Sequence, residues 1–133
     1  MSDLQNYNEE TQELFLKFLI SDPDLFSRCA NIVEPDYFNM KYRSAVKLFQ
    51  SHATDFNAIP TPEQVSAASG VSIEPIENIT SDHHDWFLRE FETFCRHKAL
   101  EKAIIESTDL LENQDYGAVE TKIKDASQVG LVK

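Results

Sequence analysis

The sequence predicts an all-α protein: a small N-terminal helical bundle, then a long helix that turns back in an antiparallel αα-hairpin. Three observations carry this. Gly and Pro are scarce, three and five in 133 residues, which suits helices better than a turn-rich β sandwich. The only β-branched run, Val71-Ser72-Ile73, is too short to found a sheet. No Gly or Pro falls between Pro75 and Gly117, so nothing in that stretch breaks a helix.

Residues 1–7 read as a frayed start. Asn8 is a candidate N-cap for a helix to about Ile20, on which Leu14, Phe15, Phe18 and Leu19 form an apolar stripe. Ser21-Asp22-Pro23 stops it and starts another, because Pro is tolerated at a first helical position. A short helix from Asp24 to Ala30 carries Leu25, Phe26 and Cys29, and the tight link folds the two together. After Glu34-Pro35-Asp36, Tyr37 and Phe38 read as core. MKYRSAVKLFQSH then sets Tyr42, Ala45, Val46 and Phe49 at helical spacing. His52 to Pro62 reads as a loop. Thr61 is the expected cap of a further helix, with Pro62 at its first position, Gln64 at its third and Gly70 at its end. Ser72 to Thr80 reads as one more short helix.

The stretch SDHHDWFLREFETFCRHKALEKAIIESTDLLEN, 81–113, organises the rest. Ser81 and Asp82 are good N-cap residues, and Asp85→Arg89 and Glu92→Arg96 are i,i+4 pairs in the favourable order. As one helix from His83 to Asn113 it is about 46 Å long. A compact chain of this size is about 36 Å across, so such a helix projects. Asp115 caps a returning helix from Tyr116 to about Gln128, whose seam is Tyr116, Val119, Ile123 and Ala126. At about 20 Å it covers under half of its partner. Trp86, Phe87, Phe91 and Phe94 must therefore pack on the N-terminal helices. Leu100, Ala103, Ile104, Ile105, Leu110 and Leu111 spread too widely round the helix for one return arm, which implies contact with another subunit.

The net charge of −11 and pI near 4.6 work against a phosphate-binding surface. Direct nucleic-acid binding is not expected, and the Phe stripe reads as core rather than a base-stacking platform. Cys29 and Cys95 have no CxxC spacing and read as reduced, buried thiols. The N-terminus, MSDLQNYNEE, is not a signal peptide and no apolar run reaches membrane-span length. A soluble, cytoplasmic protein is expected. No P-loop or GxGxxG occurs, so this chain is expected to be no enzyme and to hold no cofactor. His83, His84, Asp85, Cys95 and His97 put no two ligands on one helical face, so no metal site is expected. Glu9/Glu10 and Glu90/Glu92 read as solvated faces.

The order of parts is familiar. The two-helix start QELFLKFLISDPDLFSRCANIVEPDYF, the helix MKYRSAVKLFQSHATDFNAIPTPEQV, the long DHHDWFLREFETFCRHKALEKAIIESTDLLE and the return DYGAVETKIKDASQV together span roughly 11–130. This order resembles the N-terminal domain of DnaB-like hexameric replicative helicases, above all those of T-even-like and other tailed phages. The resemblance implies a bundle over 1–81, a long helix and hairpin over 82–129, and the start of an interdomain linker at 130–133. It further implies a collar built from paired hairpins, stacked on a RecA-like ATPase ring that would hold ATP and Mg and is absent here. Primase and, in some systems, a helicase loader dock on that collar. Leu100, Ile104, Leu111, Val119 and Ile123 are the candidate oligomer interface. Two alternatives stand beside this: the helicase-binding C-terminal domain of a primase, and a free-standing helical adaptor or helicase loader.

Overall fold

Local capping chemistry places most of the helix ends. The computed structural model describes residues 7–130; of the expected frayed start over 1–7, Tyr7 is instead packed on Phe94 and His97, and residues 1–6 and the linker residues 131–133 lie outside the described residues. Among the described residues there are six α-helices, two 3-10 turns and no strand. Helix α1 (Glu9–Ser21) is capped by Asn8, whose side chain accepts from the Thr11 N–H. Asp22 caps α2 (Pro23–Cys29) by accepting from the Asp24 N–H, with Pro23 in the first turn. Two 3-10 turns, Ala30–Ile32 and Pro35–Tyr37, lead to α3 (Met40–Phe56). Helix α4 (Pro62–Ser69) opens with a reciprocal Thr61–Gln64 capping box and closes on Gly70 at φ 76°, a left-handed position that suits a residue without Cβ.

Two sequence expectations fail here. Helix α3 does not stop at His52 but runs one turn further, to Phe56. No Gly or Pro precedes Pro60 to end it, and the His52 ring packs on Phe56 at 4.7 Å between centroids. Asn57, at φ 52°, supplies the left-handed end, its N–H donating to the Ala53 carbonyl. The expected helix over 72–80 is absent. Pro75 and the left-handed Asn78 (φ 58°) interrupt it. Val71 and Ile73 are buried while Ser72 and Glu74 are exposed, the period-two alternation of an extended segment. Ser21 Oγ accepts from the Ile76 N–H at 2.7 Å, fastening this segment to the end of α1.

Helix α5 (Ser81–Glu112) is one unbroken helix of 32 residues, about 48 Å long. Its cap is Thr80 rather than Ser81 or Asp82. Thr80 Oγ1 accepts from the His83 N–H, and His83 Nδ1 accepts from the Thr80 N–H. Helix α6 (Tyr116–Ser127) follows after Asn113-Gln114-Asp115, with Gln114 at φ 59° and Asp115 accepting from the Ala118 N–H.

The core sits at the N-terminal end of α5. Phe87, Phe91 and Phe94 are fully buried. Phe15 of α1 packs edge-on against Phe87 and Phe91 and tilted against Phe94, at 5.2–5.9 Å between centroids. Phe18 stacks on Phe87, and Phe38 meets Phe94. Such aromatic pairs add about 0.5–1.5 kcal/mol each beyond their burial. Gln12, itself buried, ties α1 to the start of α3: its amide donates to the Tyr7 carbonyl at 3.0 Å and accepts from the Asn39 N–H at 2.6 Å. The core ends at Cys95, and beyond it α5 is covered chiefly by α6 through Ala99, Ala103 and Ala126.

Candidate interaction surface on the α5–α6 pair

Small residues let α6 lie close to α5. Ala99, Ala103 and Ser107 recur every fourth residue on α5 and are buried, as is Ala126 opposite them. Lys122 Nζ meets Glu106 Oε1 at 3.2 Å across the pair. The chain just after α6 is pinned to α5 and to the first 3-10 turn. Arg96 Nε donates to the Val129 carbonyl at 2.9 Å, and Asn31 Nδ2 donates to the Gly130 carbonyl at 3.0 Å. These contacts fix α6 antiparallel to α5. Ser107 Oγ is buried with no hydrogen-bond partner.

The five residues expected at an interface divide in two. Leu100 and Ile123 are half-buried and pack on the Ala99–Ala103–Ala126 cluster, so they also hold the pair together. Val119 is half-buried. Ile104 and Leu111 stand out, 62% and 52% exposed. At about 100° per residue, Leu100, Ile104 and Leu111 lie within about 40° of one another, some 60–100° round from Ala103. On α6, Tyr116, Val119 and Ile123 are displaced from Ala126 in the same rotational sense. In an antiparallel pair equal senses share one side, as the Glu106–Lys122 contact on the opposite side demonstrates. All five residues therefore border one flank.

Tyr116 joins them, which corrects its placement in the α5–α6 seam: it is 64% exposed. Its position relative to Ala126, rather than its regular spacing from Val119, carried that signal. Ile105, 67% exposed, points to the other side of α5, into a groove of about 630 Å³ lined by Tyr7, Phe38, Met40, Arg43 and Lys102 among others. No known protein family, curated protein or solved structure matches this chain.

The remaining polar candidates have structural partners. His84 Nε2 lies 3.0 Å from Asp22 Oδ2, joining the start of α5 to the cap of α2. His97 approaches Glu101 at 3.6 Å and packs on the Tyr7 ring. Among the described residues no three His, Cys, Asp or Glu side chains are grouped to hold a metal ion. Cys29 and Cys95 are fully buried. Burial pushes the Cys29 thiol up to about 12, against a weaker opposing hydrogen bond. It pushes Cys95 up further still, with the neighbouring Cys29 adding to the effect. Neither sulfur is a thiolate at neutral pH. No helix among the described residues is long and apolar enough to cross a membrane.

Proposed function

We propose that this chain is the non-catalytic collar domain of a replicative DNA helicase, of the phage type that its order of parts resembles. The arrangement is a helical bundle carrying a hairpin, α5–α6, and the hairpin self-associates through its apolar flank. The collar so formed is a docking platform for primase or a helicase loader. One observation supports this above the rest: Leu100, Ile104, Leu111, Tyr116, Val119 and Ile123 border one flank of the projecting hairpin, with Ile104, Leu111 and Tyr116 more than half exposed. Apolar side chains aligned along a projecting element favour a partner over solvent.

Light scattering coupled to size exclusion, over a concentration series, tests the assembly. The native chain is expected to move from monomer to dimer or larger, and Ile104→Asp with Leu111→Asp to hold it monomeric without loss of helicity. A native chain that is monomeric at every concentration refutes self-association. The docking role is tested separately, by titrating the chain with the primase encoded in the same genome, where no binding would remove it.

A further inference from the structure

We infer that the groove between α4 and the extended segment after it docks another protein, taken as an extended strand with Lys or Arg at alternate positions. The groove shares no residue with the α5–α6 flank and does not depend on the collar reading.

Backbone chemistry points to a strand. Val71 and Ile73 turn into the core while Ser72 and Glu74 face out, so the segment is held extended from below. The Val71 N–H donates to Ser69 Oγ at 3.2 Å, and the Ile76 N–H to Ser21 Oγ at 2.7 Å. Between these fastenings, the N–H and C=O groups of Ser72 and Glu74 have no hydrogen-bond partner among the described residues. Alternate residues of an extended chain offer these groups along one edge. An unpaired edge of this kind is a template for a further strand. Pro75, which has no N–H, belongs to the opposite set, so its missing donor leaves this edge whole. The groove encloses about 410 Å³, with Ser72, Ile73 and Glu74 on one wall and Glu63, Ser66 and Ala67 of α4 on the other. The small side chains of Ser66 and Ala67 keep the α4 wall low.

Charge selects the occupant. From Leu48 to Leu88 the chain has Asp55, Glu63, Glu74, Glu77, Asp82 and Asp85 and no Lys or Arg. None of these carboxylates lies in an ion pair among the described residues, whereas on the hairpin Lys122 meets Glu106. Glu63 and Glu74 stand on facing walls of the groove, so a strand laid along it meets unneutralised negative charge on both sides. Phosphate-bearing partners are repelled, and Lys or Arg side chains are drawn in. A second copy cannot supply them on a strand: every Lys and Arg among the described residues lies in an α-helix.

The probe is an acetylated, amidated octapeptide of alternating Thr and Lys, titrated into the full chain at low salt and followed by amide NMR. Binding is expected, with the largest shifts at Ser72, Ile73 and Glu74 and along α4, and with the Ser72 and Glu74 amides newly protected from exchange. The same peptide with every backbone amide N-methylated keeps its charge but can donate no backbone hydrogen bond; it is expected to bind at least about tenfold more weakly. Glu63→Gln combined with Glu74→Gln is expected to weaken the parent peptide about fivefold. Both side chains are exposed, so the helical circular dichroism should not change. Equal affinity for the two peptides would mean attraction by charge alone and overturn the strand. Shifts confined to other surfaces, or no binding at all, overturn the site.

Discussion

The two thiols make the clearest single-residue case. Each is held neutral by burial, so the folded chain keeps protons that the unfolded chain gives up once the pH passes the ordinary thiol value near 9. The unfolded state then binds fewer protons, and stability falls as pH rises. Between pH about 9 and about 12 the loss is on the order of 1 kcal/mol per pH unit for each thiol. Urea titrations across that range check it: Cys29→Ala is expected to flatten the decline. At neutral pH, Ellman's reagent is expected to find no reactive thiol in the native chain and two in denaturant. Ser107 makes the opposite case. Its hydroxyl is buried without a partner, so Ser107→Ala is expected to be neutral or to stabilise by up to about 1 kcal/mol in thermal unfolding.

At the scale of elements, the Ala99–Ala103–Ala126 contact decides how closely α6 lies on α5. Ala103→Leu is expected to push α6 away at a cost of about 1–3 kcal/mol. Hydrogen exchange checks where that cost falls. Amides of α6 should lose protection while those round Phe15 and Phe91 keep theirs, since the aromatic core ends before Ala99. Thr61→Ala removes one half of a capping box and is expected to cost about 1 kcal/mol. Capping chemistry of this sort is legible in the sequence, because Asn8, Thr61, Gly70 and Asp115 act through their nearest neighbours. Not every failure was tertiary. Pro75 is a local signal against a helix over 72–80, whereas the alternate burial of Val71 and Ile73 and the hydrogen bond from the Ile76 N–H to Ser21 are tertiary and leave no local trace. The Thr80–His83 box is not legible in the sequence, because His83 stands where a capping box ordinarily has a Glu or Gln.

For the whole molecule, stability is unevenly spread. The N-terminal helices and the first half of α5 share a continuous aromatic core, whereas the outer part of α5 has one covering helix and exposed Ile104, Ile105 and Leu111. Amides in 103–121 are therefore expected to exchange faster than those of the bundle in the monomer, and to slow on self-association. The candidate surface was partly legible. Leu100, Ile104 and Leu111 follow from counting apolar positions of α5 that one return helix cannot cover, but their gathering on one flank with Val119, Ile123 and Tyr116 needs the direction of α6.

The unbroken α5 also makes the molecule a mechanical lever. About 15 Å of rigid rod lies between Lys102, which meets Asp36 at 3.6 Å, and the far end of the helix at Glu112. A swing of about 10° at that fulcrum carries the far end some 2–3 Å. A protein grasping the outer turns would thus strain the Phe87–Phe91–Phe94 stack, and small repacking there would steer whatever the arm holds.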